Sequence, residues 1–245
     1  MAAARLDLEL VARGLATSRA QAQALIRAGL VSIDGAPAAT ADTRVGEGAT
    51  LEVRGGARFV SRGGEKLDPV LDTLRVDPGG RVCLDAGAST GGFTDALLQR
   101  GARLVYAVDV GYGQLDFRLR QDPRVVVMER TNVRHLEALP GEAPDLVVGD
   151  LSFISLRLVV PALLRVAAPA CELVLLVKPQ FEVGRGKVGS GGVVRDEAER
   201  AEAVAAFVAW AESEGLSVCG VVDSPVRGPK GNQETFVHLR REAGA

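Results

Sequence analysis

At 245 residues, with 47% hydrophobic and 24% charged side chains, the chain has an ordinary globular composition that excludes extended disorder and allows one large domain or two. A formal net charge of -2 excludes a uniformly polycationic nucleic-acid binder, so affinity for phosphates has to come from local clusters. Cysteines 83, 171 and 219 have no C-x-x-C spacing, which points away from a metal site or a disulfide framework and predicts a reducing, cytoplasmic setting.

The first elements are short. Leu6, Leu10 and Val11 mark one helical face, interrupted by Arg5, Asp7, Glu9 and Arg13 in a way that matches no secretory signal. Ser18, with Gln21 three residues on, predicts a capped second helix running through Leu25 and Ile26 to Gly29. A strand at Leu30–Ile33, an Asp34-Gly35 turn and a last strand at Thr50–Val53 follow. The run Arg27-Ala28-Gly29-Leu30-Val31-Ser32-Ile33-Asp34-Gly35 resembles the small RNA-binding domain named after ribosomal protein S-four. That resemblance implies a two-helix face docking on RNA, formed here by Arg5, Arg13, Arg19 and Arg27.

Residues 57–64 read as a glycine-rich linker between an N-terminal domain over 1–56 and a larger one over 65–245. Arg54, Arg58, Arg62 and Lys66 face only Glu65 as counter-charge, and Arg58 and Arg62 are placed to meet RNA phosphates. Lys66 opens an amphipathic helix through Leu67, Val70, Leu71 and Leu74.

From Arg81 onward strands are predicted near 82–85, 104–109, 124–128, 145–149, 172–177, 216–222 and 235–239, with helices near 93–100, 113–120, 157–166 and 196–214. The alternation predicts an α/β, Rossmann-like domain with a mostly parallel seven-stranded sheet, after a small α+β domain, and ligands beyond the carboxyl ends of the strands. Leu158 to Val177 is long and apolar, but Arg165, Glu172, Pro161 and Pro169 make it a helix, a turn and a buried strand rather than a membrane span. Gly184 to Gly192 reads as a loop over the site that brings Arg185 and Lys187 to RNA. Trp210, Phe207 and Val204, at helical spacing, read as core, and His135 and His238 as residues without a site role.

The chemistry centres on Val82 to Asp95, a strand ending in Asp85, a turn with Gly87, Gly91 and Gly92, and a helix starting near Phe93. The spacing matches neither Gly-x-Gly-x-x-Gly nor a phosphate loop with its Lys. An acidic residue before such a turn resembles the first motif of S-adenosylmethionine-dependent methyltransferases. The resemblance implies that Asp85, Gly87, Ala88, Ser89, Thr90, Gly91, Gly92 and Phe93 hold the cofactor. Asp109, at the end of the next strand, suits ribose hydroxyls. Asn132 either contacts the adenosine or turns the chain.

Gly149-Asp150-Leu151-Ser152-Phe153 occupies the strand end that addresses the acceptor. It lacks the Asp/Asn-Pro-Pro-Tyr/Phe of amino-methylating enzymes, and no cysteine is placed to attack a pyrimidine carbon, which leaves an oxygen acceptor. A ribose hydroxyl is a poor nucleophile at neutral pH and benefits from alignment and a group that favours loss of its proton. Lys178 and Glu234 are the residues predicted to join Asp150 there. Lys66, Asp150, Lys178 and Glu234 fall in order on the tetrad of FtsJ-like ribose 2′-O-methyltransferases. With Ser61-Arg62-Gly63-Gly64 and Lys178-Pro179-Gln180-Phe181-Glu182, nearly the whole chain resembles the TlyA family. The family implies methylation of cytidine ribose in ribosomal RNA, as free RNA or in subunits, with S-adenosylmethionine as cofactor; the cysteine spacing and the interrupted apolar runs predict no metal and no membrane, and a monomer is expected. Lys66 reads alternatively as a phosphate anchor, and Glu234 as a group that only holds Lys178. Some members are named hemolysins, which keeps open a membrane-active cytolysin. An RNA-binding module with an inactive methyltransferase fold is the other alternative.

Overall fold

The structure is a computed structural model that describes residues 4–16, 18–55, 58–183, 192–228 and 230–244. The chain forms two compact units, Met1–Val60 and Ser61–Ala245.

The first unit runs β1 (Ala4–Arg5), α1 (Leu6–Ala12), α2 (Arg19–Arg27), β2 (Val31–Ile33), β3 (Ala36–Pro37), β4 (Arg44–Val45) and β5 (Leu51–Val53). The Ser18 hydroxyl accepts from Gln21 N at 3.2 Å and starts α2 as the sequence predicts. Strand β2 pairs antiparallel with β3 and β5, and the core gathers Leu6, Leu10, Ala22, Ile26, Val31 and Val45. A fully buried carboxylate, Asp7, accepts from Arg5, Arg19 and Gln23 at 2.9 to 3.2 Å. The Arg5 guanidinium, with Gln23 and Arg19, holds its carboxyl well below the usual range despite burial.

The second unit contains α3 (Arg62–Leu74), β6 (Val82–Ala86), α4 (Gly92–Gln99), β7 (Leu104–Val108), α5 (Phe117–Gln121), β8 (Val125–Met128), β9 (Leu146–Gly149), α6 (Val160–Val166), β10 (Cys171–Val177), α7 (Pro179–Glu182), α8 (Glu197–Ser213), β11 (Ser217–Asp223) and β12 (Thr235–Arg241). The sheet order is β11-β12-β10-β9-β6-β7-β8, parallel except that β12 is antiparallel to both neighbours. Every residue of β6 is buried, as a central strand covered on both faces requires. Phe207 on α8 is fully buried and packs 5.7 Å from Trp210, in the core role expected of both.

Two helices depart from the sequence reading. Helix α3 starts a turn early, at Arg62, because Ser61 caps it by accepting from Gly63 N; a Cβ on Gly63 would lie 3.3 Å from Gly92 Cα, so this first turn packs closely on α4. Helix α5 starts late, because Gly113 is left-handed at φ +70° and Asp116 caps the chain by accepting from Arg118 N at 2.9 Å. Leu158–Val177 resolves into the end of a 3-10 turn, α6 and β10; among the described residues no helix is long and apolar enough to cross a membrane.

Candidate active site

Strand register brings the site together. Ala86 lies opposite Gly149, so the residues that follow, Gly87 and Asp150, leave the sheet side by side. Val177 lies opposite Thr235 on antiparallel β12, which puts Lys178 beside Glu234. Lys66 reaches the same point from the second turn of α3. Its Nζ donates to Glu234 Oε2 at 2.6 Å and to Asp150 Oδ2 at 3.5 Å. On the other side of Asp150, Lys178 Nζ sits 2.7 Å from Oδ1 and donates to Ser152 Oγ at 2.7 Å. The Lys178–Asp150 contact is an ion pair without hydrogen-bond alignment, so Asp150 Oδ1 is left with no hydrogen bond. Cations and carboxylates alternate from Glu234 to Lys178, all with side chains no more than 22% exposed. Burying two ion pairs is a weak source of stability, so this arrangement is better explained by chemistry than by folding.

The tetrad lines a cavity of about 760 Å³. Gly87, Ala88, Ser89, Thr90, Gly92 and Phe93 line the same cavity. Gly87 is left-handed at φ +86°, and a Cβ there would stand 3.0 Å from the Asp150 carbonyl oxygen. At Gly92 a Cβ would lie 2.3 Å from Ser61 Oγ and 2.8 Å from Gly63 Cα, so both glycines are required by close approach.

Four predicted cofactor residues do not line the cavity. Asp85 is fully buried behind it, accepting from Thr94 N at 2.9 Å and Thr94 Oγ1 at 2.7 Å, and burial pushes its carboxyl up to about 7 against those hydrogen bonds. Gly91 is the left-handed cap of α4, where a Cβ would meet Leu119 at 2.3 Å. Asp109 holds the turn, taking Ser89 N at 2.8 Å and Gly111 N at 2.6 Å. Asn132 turns the chain: its side chain accepts from Arg134 N at 3.0 Å and caps a 3-10 turn.

The predicted RNA-contacting residues also divide. Arg13 donates to Glu9 at 2.7 Å and to the carbonyl oxygens of Ala49 at 2.5 Å and Gly46 at 3.4 Å, a clamp inside the first unit. Arg5 and Arg19 serve Asp7. Arg27 is exposed, and Arg58 stacks on Phe59 with 4.7 Å to the ring centre. Arg62 lines the cavity, while Arg185 and Lys187 lie outside the described residues, as does most of the loop predicted over the site. No cysteine competes for the chemistry: burial pushes the Cys83 thiol up to about 12 and raises that of Cys171.

Sequence reasoning missed Ser152, Phe153, Phe181, Arg227 and Lys230, all of which line the cavity. Phe153 is 90% exposed at φ +65°, its ring 5.3 Å from Phe181. An aromatic three residues beyond a strand-end carboxylate was the available signal. Glu182 anchors that segment by accepting from Ser155 Oγ and Leu156 N, both at 2.7 Å.

Comparison with known proteins agrees with this geometry. The FtsJ-like methyltransferase family matches residues 59–241, and the S4 domain family matches residues 4–51. The chain is 54% identical to the 16S/23S rRNA (cytidine-2′-O)-methyltransferase TlyA of Mycobacterium tuberculosis, over 98% of this chain and 90% of that one. It is 37% identical to Hemolysin A of Brachyspira hyodysenteriae, over 96% and 99% of the two chains. A solved Streptococcus thermophilus protein, also under the name hemolysin, superposes with a TM-score of 0.74 at 40% identity, covering 98% of this chain and 89% of that one. With both family matches in this order, and that degree of identity carried along nearly the full length, the chain belongs to the TlyA family of FtsJ-like methyltransferases.

Proposed function

We propose that the protein transfers the methyl group of S-adenosylmethionine to the 2′-hydroxyl of a cytidine ribose in ribosomal RNA. The observation that carries this reading is the convergence of Lys66, Asp150, Lys178 and Glu234 in a cavity that the glycine turn after β6 also lines. The residues fit the cofactor. The glycine turn keeps side chains out of the cavity, and Asp109, outside the cavity lining, holds that turn through Ser89 N and Gly111 N. When bound, S-adenosylmethionine supplies an electrophilic methyl group that a nucleophile must meet in line.

Lys178 acts on the nucleophile. It first gives its ammonium proton to solvent, and its amine, held between Asp150 and Ser152, then takes up the proton of the incoming 2′-hydroxyl as the oxygen acquires the methyl group. Asp150 orients the amine and balances the ammonium that results, while Lys66 and Glu234 fix Asp150 from the other side. Cytidine and ribosomal RNA as the target are supported by the name of the Mycobacterium tuberculosis relative and by the S4 domain, an RNA-binding type of domain. A cytoplasmic monomer acting on ribosomal subunits completes the reading. The test is to map ribose methylation across ribosomal RNA incubated with cofactor and either wild-type protein or Lys178→Ala: the wild type leaves a new 2′-O-methylcytidine and the variant does not. Absence of that mark with wild-type protein overturns the proposal.

A further inference from the structure

The turn between β11 and β12 carries two residue types with opposite destinations. Ser224 N donates to the Glu234 carbonyl at 2.8 Å, Gly228 N to the Asn232 carbonyl at 3.0 Å and Gly231 N to the Gly228 carbonyl at 2.8 Å, so the turn is built, not slack. Buried Asn232 fastens it further, donating to the Gly192 carbonyl at 2.9 Å and accepting from Val194 N at 3.0 Å. Inside, Glu234 points at Lys66, with Gly228 leaving it room: a Cβ there would lie 2.6 Å from Glu234 Oε1. Outside, Arg227 and Lys230 are exposed on the cavity rim, where Arg62 joins them by donating to the Arg227 carbonyl at 2.8 Å.

Among the described residues, none of these three cations pairs with a carboxylate. Elsewhere in the same unit some exposed arginines do pair: Arg103 with Glu142 at 2.8 Å, Arg118 with Asp116 at 3.1 Å and Arg124 with Asp122 at 2.7 Å. Three unpaired cations held together on the rim, beside four charges that cancel one another inside, make a local site for an anion.

We propose that Arg62, Arg227 and Lys230 form a clamp for the RNA phosphodiester next to the target nucleotide, so that one turn fixes both the backbone of the substrate and the carboxylate that supports the tetrad. The inference rests on the proposed reaction. Backbone phosphate contacts set register without reading sequence, and each displaces counterions. A fourfold rise in salt therefore costs about threefold in affinity per contact.

The experiment measures kcat/KM for methyl transfer to ribosomal RNA against salt concentration, for wild type, Arg227→Gln, Lys230→Gln, the double variant, and Arg240→Gln as an exposed control in β12. The slope of log(kcat/KM) against log salt should become shallower by about 0.7 to 0.9 for each charge removed at 227 or 230, and stay unchanged for the control. Calorimetric affinity for S-adenosylmethionine should be the same in all five proteins. An unchanged slope in the double variant overturns the clamp, as does an equal change in the Arg240→Gln control. No transfer by the wild type overturns the reaction instead, so the two failures are distinguishable.

Discussion

Lys66 and Glu234 are separated by 168 positions in the chain, yet their side chains meet at 2.6 Å with almost no access to water. Removing one partner leaves a buried charge uncompensated, which typically costs about 3–5 kcal/mol, whereas replacing both with apolar groups is often nearly neutral. Glu234→Ala should therefore destabilise the protein by about 3 kcal/mol in urea titration, and Lys66→Met with Glu234→Leu should recover most of that loss. Methyl transfer should stay absent in the double variant. Recovered activity together with recovered stability would mean that the pair is only structural.

Lys178 is the residue on which transfer should depend most. General base assistance typically contributes about 10²–10⁴-fold, so Lys178→Ala should lower kcat by at least about a hundredfold. S-adenosylmethionine binding, followed by calorimetry, should change by no more than a few fold. Ser152→Ala removes the second hydrogen-bond partner of Nζ and should lower kcat less while moving the pH profile of kcat. A variant at 178 with wild-type turnover would remove it from the mechanism.

Asp85 gives a stability prediction with a definite sign. Its folded-state pKa of about 7 lies above the ordinary carboxylate value, so the folded state resists ionisation. Stability is then highest at low pH for this group and falls as pH rises from about 4 through about 7, by a few kcal/mol in all. Asp85→Asn keeps an acceptor for Thr94 and abolishes the slope, so the variant should be the more stable protein at pH 8 and lose that advantage near pH 4. Asp7 works in the opposite sense: its lowered carboxyl stabilises the first unit above the ordinary carboxylate range and loses that contribution in acid. Denaturant midpoints across pH, with fluorescence from Trp210 reporting on the second unit, check the first of these.

Arg13 and Arg27 should separate folding from RNA affinity. Arg13→Ala gives up its bonds to Glu9 and to the Ala49 carbonyl and should cost about 1–3 kcal/mol of stability in the first unit. Arg27→Ala should leave stability within about 0.5 kcal/mol and weaken RNA binding in filter assays. The reverse pattern would return Arg13 to the RNA-binding face.

Much of this was legible because periodic signals are strong where a sheet is buried on both faces. Val82–Leu84 and Leu104–Val108 are continuous apolar runs closed by acidic residues, and the strands begin and end within two residues of the expected positions. The tetrad was legible for the same reason, since three of its members stand at or next to strand ends. The start of α3 was not, because two glycines argue against a helix until the proximity of Gly92 is known. Nor were the duties of Asp85 and Arg13: a carboxylate before a glycine turn and an arginine on a helix look alike in sequence whether they face a ligand or their own backbone. Arg227 and Lys230 escaped notice because a short turn with two prolines gives no periodic cue, and their importance depends on what the turn is folded against.

The antiparallel strand β12, inserted between β10 and β11, has a consequence for synthesis. Glu234 directly precedes β12, the last described strand in chain order, so a growing polypeptide has Asp150 but not Glu234 beside Lys66 until that strand is made. A premature stop codon before Glu234 would yield a product lacking the strand that joins β10 to β11 as well as one tetrad member, and such fragments should be cleared by proteases rather than persist as RNA binders without activity.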